Sequence, residues 1–376
     1  MISARSVLEE LVAIPSVSGQ SNQPIIAWIQ KFLEPLGWHH RLFSYRDAAG
    51  VEKMNLVVSP QPLGLSTITA ELAIVCHTDT VPFNAASWPD ALHLREQGSM
   101  LHGCGACDVK GFLACILAAV SELDTMRLTL PLCLVFTSDE EVGCRGARFL
   151  VEQRALQVRY AIVGEPTSLV PARAGKGYCL ANIHVKGKAA HSAFPEAGYS
   201  AIFAAARLLC EVETLAQRLM QDRNEAFLPP WTTLNVGEIR GGTAKNIIPA
   251  DCSFLLEWRP IPGQRPELVL EQLQEIIGWL AADGLEAQIE VLRIDAGFET
   301  SVDSAVIQSV LRKPGAPTQT ISFGTEAPWL ARMGAETVVI GPGSMLTAHS
   351  QRECVPAAEL EDCVHLLRTA IERLCG

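Results

Sequence analysis

The sequence contains no cluster of basic residues and no long apolar run. Its 376 residues include 30 Lys and Arg against 41 Asp and Glu, a net charge of −11, and this balance argues against nucleic-acid binding. No stretch reaches the roughly 20 consecutive apolar residues that a membrane-spanning helix needs. Glu9 and Glu10 interrupt the first apolar pattern, which argues against a signal peptide. We therefore expect a cytoplasmic protein with neither nucleic acid nor membrane as a partner.

Charged residues are also sparse, at 19% of the chain, whereas hydrophobic residues reach 48%. This composition is typical of a globular protein and excludes a disordered chain. A chain of 376 residues is long for a single hydrophobic core. Two domains are therefore the expectation.

The twelve cysteines lack the spacing of a metal or disulfide framework. Many lie inside apolar runs, where a thiol acts as a small buried hydrophobe, and we expect them to be reduced. Cys104 and Cys107 form the only C-x-x-C pair, so the second pair of a zinc ribbon is absent. A packing role is favoured, with a redox or structural-zinc role as the alternative.

The strongest chemical signal lies in residues 131–143. Residues 132–136 are apolar and predict a strand that is buried on both faces of a parallel sheet. Three acids, Asp139, Glu140 and Glu141, follow at once. Like charges at a strand end repel unless they are neutralised, and open α/β sheets bind ligands at the carboxyl ends of their strands. The pattern favours a metal site over the alternative, a solvated acidic turn.

Other predicted strands are also followed by residues that could bind a metal ion. His77 and Asp79 follow one of them and Glu165 follows another. An imidazole is a common zinc ligand that a nearby carboxylate can orient, although a lone His-x-Asp is more often an ordinary turn. Between these strands a glycine-rich loop at residues 102–111 carries Asp108. Its glycines match neither the dinucleotide fingerprint nor a phosphate loop.

The hydrophobic periodicity changes in the middle of the chain. Between residues 177 and 296 the predicted elements follow the order βαββαβ, which is typical of a small ferredoxin-like sandwich. Before and after this region, helices and buried strands indicate a mainly parallel α/β domain. We therefore predict one domain from residues 1–176 and 297–376, with residues 177–296 inserted as a second, α+β domain.

Taken together, these motifs resemble the M20 family of co-catalytic zinc peptidases and deacylases. The resemblance covers essentially the whole chain in the same order. It rests on HTDTVP at 77–82, GACDVKG at 105–111, DEE at 139–141, GEPT at 164–167 and the late His349. Within the family, RAGKG at 173–177, FGTEAP at 323–328 and GPGS at 341–344 are most similar to the acetylornithine deacetylase branch.

The resemblance implies a dinuclear metal centre in the larger domain. His77 and Glu165 would bind one zinc ion, Glu141 and His349 the other, and Asp108 would bridge them. Two imidazoles and three carboxylates give a site of low net charge with open positions for water. We expect two Zn²⁺ per subunit, with Co²⁺ or Mn²⁺ as substitutes. The peptide bond after Asp108 is expected to be cis.

The resemblance also assigns residues to catalysis and substrate binding. Glu140 would be the general base, and Asp79 would orient His77. His191 would reach the site of the neighbouring subunit and stabilise an oxyanion, the alternative being an ordinary surface histidine. The predicted substrate-binding residues are Asn246, Arg259, Gly341 and Gly343.

The resemblance implies a zinc-dependent amidohydrolase that removes the acetyl group from an N-acetyl amino acid. We expect N2-acetyl-L-ornithine as substrate, in arginine biosynthesis, and a homodimer formed through the inserted lid domain. The alternatives are an N-succinyl-diaminopimelate desuccinylase, an N-acetylcitrulline deacetylase, and an M20 dipeptidase or carboxypeptidase. A non-catalytic amino-acid-binding protein is the alternative from another class, but binding alone would not need Glu140. The residues leave the acyl group and the side chain open.

Overall fold

The computed structural model describes residues 2–282 and 284–376. It divides into two compact units, the first up to residue 173 with 300–319 and 325–376, the second with 174–299 and 320–324. The α-helices of the described residues are α1 (Ala4–Val12), α2 (Gln23–Leu33), α3 (Lys110–Ser121), α4 (Arg145–Glu152), α5 (Ala201–Leu219), α6 (Leu268–Ala281), α7 (Ala305–Val310), α8 (Ala327–Arg332) and α9 (Ala357–Cys375).

The strands occur in both units. In chain order they are β1 (His39–Arg46), β2 (Glu52–Ser59), β3 (Ile68–His77), β4 (Arg95–Gln97), β5 (Met100–His102), β6 (Leu132–Thr137), β7 (Leu156–Val163), β8 (Ala172–Gly175), β9 (Tyr178–Lys186), β10 (Ala190–His191), β11 (Thr233–Gly241), β12 (Ile247–Ile248), β13 (Asp251–Arg259), β14 (Glu286–Asp295), β15 (Phe298–Glu299), β16 (Gln319–Ile321), β17 (Glu336–Val339) and β18 (Cys354–Pro356).

The first unit is built on a mixed sheet with a parallel centre. Its strands follow the order β1-β2-β6-β3-β7-β17, and Ala172 of β8 pairs next to β17. The four central strands, β6, β3, β7 and β17, are parallel to one another. At the edge of the sheet, β1 pairs antiparallel with β2, and β2 pairs antiparallel with β6. The predicted mainly parallel α/β architecture is confirmed. A separate small sheet has the order β18-β5-β4.

Both faces of this sheet are covered. Alternate residues such as Ile74, Leu134 and Ile162 belong to one core with residues of α1, α2, α3, α7 and α9. The intervening residues Val75 and Val135 are also buried. Strands with apolar residues on both faces are typical of a parallel sheet between helical layers. This burial explains why β6 lacks the alternation of a half-exposed strand.

The central strands deliver polar residues to one edge of the sheet. Parallel neighbours have their carboxyl ends on the same side, which is where open α/β sheets bind ligands. β3 ends at His77, the acidic turn follows β6, and Glu165 follows β7. The residues after β17 begin with Ile340 and Gly341.

The second unit contains a ferredoxin-like sandwich. Its elements follow the order β9-α5-β11-β13-α6-β14, and its antiparallel sheet has the order β11-β13-β9-β14. Every second residue of β9 and β13 is buried and packs with α5 and α6 in a separate core. The βαββαβ pattern predicted from periodicity is therefore present.

All twelve cysteines are free, and all except Cys210 are buried. No helix in residues 2–282 and 284–376 has the length and apolar character needed to cross a membrane.

Candidate metal centre

The first unit brings the five predicted metal ligands together. Among the described residues, the side chains that could hold a metal ion form two groups, and within each group the ligand atoms lie within 4.8 Å of one another. One group is His77, Glu140 and Glu165, and the other is Asp108, Glu141 and His349. Each group therefore combines one imidazole with two carboxylates.

Asp108 lies between the two imidazoles. Its Oδ1 is 3.2 Å from Nε2 of His77, and its Oδ2 is 3.1 Å from Nε2 of His349. His349 Nε2 also lies 3.0 Å from Oε1 of Glu141. The two oxygens of one carboxylate thus face one histidine from each group, an arrangement suited to a carboxylate shared by two ions. The peptide bond between Asp108 and Val109 is cis, as the resemblance implies.

The carboxyl groups of the site are buried close together, which makes their charged forms unfavourable in the absence of cations. Burial and the neighbouring charge of Asp108 raise the pKa of Glu165 well above its ordinary value. One of its oxygens, Oε1, has no hydrogen-bond partner in the part of the chain that the structure describes. Burial likewise raises the pKa of Glu141. Although burial opposes it, contacts with His349 and His77 keep the pKa of Asp108 far below its ordinary value. A buried set of carboxylates and imidazoles with an unpartnered oxygen fits divalent cations such as zinc.

His77 is held in the orientation that a metal ligand needs. Its Nδ1 donates to the main-chain oxygen of Asp79 at 3.0 Å, whereas the Asp79 carboxylate is 3.7 Å away. Because Nδ1 carries the proton, Nε2 presents its lone pair to the site. The main chain of Asp79, more than its carboxylate, therefore orients the ring.

The Asp79 carboxylate instead holds the acidic turn after β6. Its two oxygens accept the backbone N–H groups of Glu140 at 3.1 Å and Glu141 at 3.3 Å. The hydroxyl of Ser18 donates to the same carboxylate at 2.6 Å. Asp79 thus fixes the backbone of both acids that the sequence singles out.

Glu140 differs from its neighbour Glu141. It groups with His77 and Glu165, whereas Glu141 groups with Asp108 and His349. The thiol of Cys144 donates to Oε1 of Glu140 at 3.2 Å. Burial raises the pKa of Glu140 to about 8, with the charge of Glu141 acting in the same direction. A carboxyl group with this pKa can both accept and release a proton near neutral pH.

Asp139, the first acid of the turn, faces away from the two groups. Its Oδ1 lies 2.7 Å from Nζ of Lys53, and both side chains are 1% exposed. The hydroxyl of Tyr45 donates to its Oδ2 at 2.9 Å. The residue has a φ of 56°, a left-handed conformation that Asp tolerates better than most residues. Asp139 therefore anchors the turn through a buried ion pair.

The C-x-x-C pair does not join the metal-ligating groups. Cys104 and Cys107 are both buried, and the Cys107 thiol donates to the main-chain oxygen of Ser344 at 3.5 Å. Burial raises the pKa of Cys104 to about 11 and also raises that of Cys107. Protonated, buried thiols suit a packing role.

Two buried acids of the first unit are not among the predicted site residues. Glu326 is 1% exposed, and neither carboxylate oxygen has a hydrogen-bond partner among the described residues. Its charge acts on both Glu140 and Cys76. Glu353 is 2% exposed and accepts three backbone hydrogen bonds from the loop of Asp108. Glu326 lies inside a quoted motif, FGTEAP, whereas nothing in its own sequence context distinguishes Glu353.

Two predicted substrate-binding residues, Gly341 and Gly343, lie in the first unit. A Cβ at Gly341 would lie 2.5 Å from the main-chain oxygen of Glu165, so only glycine fits there. Gly343 has a φ of 82° and donates its N–H to Glu359 at 2.7 Å. Both glycines allow the backbone after β17 to pass close to the metal-ligating residues.

The remaining predicted residues lie in the second unit. His191 is exposed. It belongs to β10 and lies opposite Ile247 of β12, the residue that follows Asn246 in the sequence. The main-chain oxygen of Asn246 accepts a hydrogen bond from Ser192. Arg259 ends β13, where it pairs with Glu257 at 2.8 Å.

The chain is similar to known proteins in sequence and in fold. The model of peptidase family M20/M25/M40 matches residues 73–373. The acetylornithine deacetylase of Myxococcus xanthus is 48% identical over 375 residues, covering 99% of this chain and 97% of the relative. The aminopeptidase PepT of Bacillus cereus has a TM-score of 0.75 at 22% identity, covering 99% of this chain and 98% of that structure.

A third similar protein is the YXEP protein of Bacillus subtilis, a dinuclear metal binding peptidase from the M20 family. Its structure has a TM-score of 0.68 at 14% identity, covering 98% of this chain and 96% of that one. At such identities the two structures support the fold alone. The family match and the 48% identical relative extend over most of the sequence. The chain therefore belongs to peptidase family M20/M25/M40.

Proposed function

We propose that this protein is a metal-dependent amidohydrolase that converts N2-acetyl-L-ornithine to L-ornithine and acetate, in arginine biosynthesis in the cytoplasm. The observation that carries the chemistry is the position of Asp108 between His77 and His349, with Glu140 close by but outside these contacts. The full-length similarity to an acetylornithine deacetylase supports the choice of substrate.

The proposed centre holds two zinc ions, with Co²⁺ or Mn²⁺ as substitutes. His77 and Glu165 would hold one ion and Glu141 and His349 the other, with Asp108 shared between them. The two groups of candidate ligands contain all five of these residues, but they also place Glu140 with His77 and Glu165. Bound ions of this kind polarise an amide carbonyl and lower the pKa of a water molecule.

Glu140 is the proposed general base. Its carboxylate takes the proton from the attacking water and passes it to the nitrogen of the departing ornithine. In the metal-free protein, burial raises the pKa of Glu140 above its ordinary value. The thiol of Cys144 and the carboxylate of Asp79 hold its side chain and backbone, respectively.

The second unit is the proposed dimerisation and lid domain. We assign oxyanion stabilisation to His191 of the neighbouring subunit, and substrate contacts to Asn246, Arg259, Gly341 and Gly343. The exposure of His191 and the exposed apolar side chains of Phe203 and Ile239 support a partner on this unit. The partner we propose is a second copy of this chain.

Acetate release from N2-acetyl-L-ornithine by the zinc-loaded protein tests this function. N-succinyl-diaminopimelate, N-acetylcitrulline and a dipeptide are the matched competitors, compared by kcat/KM. We expect the highest value for acetylornithine. A higher value for another substrate would reassign the specificity, and tight binding of acetylornithine without turnover would establish a binding protein instead.

A further inference from the structure

A buried carboxylate outside the proposed ligand set holds the loop that carries Asp108. Oε1 of Glu353 accepts the backbone N–H groups of Cys107 and Asp108, and its Oε2 accepts that of Gly105, each at 3.0 Å. Successive backbone N–H groups that converge in this way form a concave anion-binding nest. Because Glu353 is 2% exposed, water does not compete for these bonds.

The nest leaves the loop little freedom to move. Gly105 has a φ of 75°, and a Cβ there would lie 2.8 Å from the side chain of Thr80. The backbone N–H of Asp108 is bonded to Glu353 while the carboxylate of the same residue faces His77 and His349. Fixing the backbone of Asp108 therefore fixes the starting point of its short side chain.

Glu353 also links two parts of the proposed centre. It lies four residues after His349 in the sequence, so one segment supplies both an imidazole of the centre and the acceptor for the Asp108 loop. Partners that orient the ligands of a metal typically change metal affinity by about 10–100-fold when they are replaced. An amide cannot substitute for the carboxylate, because one of its ends carries N–H donors that would face the donors of the nest.

We propose that Glu353 is a positioning residue that sets the affinity of the centre for divalent metal through the loop of Asp108. The inference rests on the proposed function only in taking His77, Asp108 and His349 as metal ligands. The competing role is purely structural. Glu353 would then contribute only to folding stability, for example through its electrostatic attraction to the charge of buried Lys110.

Zinc titration of metal-stripped protein against a chromophoric chelator tests the proposal. We expect Glu353→Gln to bind zinc about 10–100-fold more weakly than the wild type. Glu361→Gln, the same change on the exposed side of α9, is the matched control and should bind like the wild type. A lower melting temperature with unchanged zinc affinity in Glu353→Gln would establish the structural role and overturn the proposal.

A second variant covers the case in which Glu353→Gln does not fold. Glu353→Asp keeps the charge but shortens the side chain, so we expect an intermediate zinc affinity. We also expect faster backbone hydrogen exchange in residues 104–109 of the metal-free variant than in the wild type. Wild-type affinity together with wild-type exchange would overturn the proposal. These measurements use no acetylated substrate, so a wild type that binds zinc without releasing acetate would refute the proposed function alone.

Discussion

At the scale of single residues, the adjacent acids Glu140 and Glu141 have different surroundings. Glu141 contacts His349, whereas Glu140 contacts the thiol of Cys144. We expect Glu140→Gln to lower kcat by about 10²–10⁴, because a general base contributes that much, while zinc content stays at the wild-type level. Steady-state kinetics and elemental analysis of the same preparations measure the two effects.

Glu141→Gln is the matched control for this prediction. The change is identical in size and lies one residue away, but it should reduce zinc content as well as turnover. Near-normal turnover of Glu140→Gln would remove Glu140 from the role of base. Loss of zinc from Glu140→Gln would instead make it a ligand.

Glu326 predicts a pH dependence of folding stability in the metal-free protein. Burial raises its pKa from the ordinary value of 4.5 to about 7. The folded state therefore binds this proton more tightly than the unfolded state, and the resulting stability is complete below pH 4.5 and is lost as the pH rises through 7. Glu326→Gln is neutral at every pH, so we expect it to exceed the wild type in unfolding free energy by a few kcal/mol at high pH.

Denaturant unfolding of metal-free protein on either side of this range measures the difference. At low pH the wild type and Glu326→Gln should have similar stability, and the gap should open as the pH increases. Glu52→Gln, the same change at an exposed position, is the control. A constant difference at every pH would mean that Glu326 does not titrate with the predicted shift.

How far the site could be predicted depends on what surrounds each residue in the sequence. His77 ends one buried strand and Glu141 and Glu165 follow two others, and apolar runs in the sequence indicate where those strands end. His349 lies in a loop, so only the family resemblance indicates it. Glu353 could not be predicted, because its partners in the Asp108 loop are about 250 residues away and only the folded chain brings them together.

At the scale of elements, the turn after β6 depends on the ion pair between Lys53 and Asp139. Both side chains are 1% exposed, and Lys53 Nζ also donates to the main-chain oxygen of Gln20 at 2.8 Å. We expect Lys53→Met to lower the unfolding free energy by about 3–5 kcal/mol, because it leaves a buried carboxylate without its partner. Denaturant unfolding measures this change.

The double variant Lys53→Met/Asp139→Asn distinguishes the loss of the ion pair from the cost of leaving one buried charge without a partner. Removing both charges leaves neither uncompensated, so most of the stability should return. Lys31→Met, on the exposed side of α2, controls for the substitution itself. If Lys53→Met unfolds like the wild type, the pair does not stabilise the turn.

Most elements could be predicted from periodicity, and the differences have local causes. The first helix of the second unit begins at Ala201, because Ser200 caps it by accepting the N–H of Phe203. The edge strand β1 was not predicted, since none of its side chains is fully buried and its apolar signal is weak. The short strands β4, β5 and β18 have three residues each, too few for a periodic pattern.

At the scale of the whole molecule, the change of periodicity predicts the second unit because its βαββαβ order is contiguous in sequence. The segment 320–324, which also belongs to that unit, could not be predicted. The chain has already returned to the first unit at residues 300–319, and the segment is too short to show a hydrophobic periodicity of its own. Its placement is decided by tertiary contacts, such as the hydrogen bond from Thr320 to the main-chain oxygen of Ala226.

The proposed dimer makes each active site depend on two chains. His191 is exposed on the second unit, and the proposed base, Glu140, belongs to the first. We expect Glu140→Gln and His191→Ala to be nearly inactive alone but to regain activity when they are mixed and allowed to exchange subunits. One site of each mixed dimer then combines an intact Glu140 with an intact His191 from its partner, and random exchange in a twofold dimer gives up to about a quarter of wild-type activity.

Mixing Glu140→Gln with the double variant Glu140→Gln/His191→Ala is the matched control, because no site in that mixture has an intact base. Activity should appear in the first mixture and not in the second, with subunit exchange verified by native mass spectrometry of differently tagged chains. Exchange without recovery would show that His191 acts within its own chain or not at all. A fully active monomer would remove the dimer from the mechanism, because a histidine in trans requires a second chain.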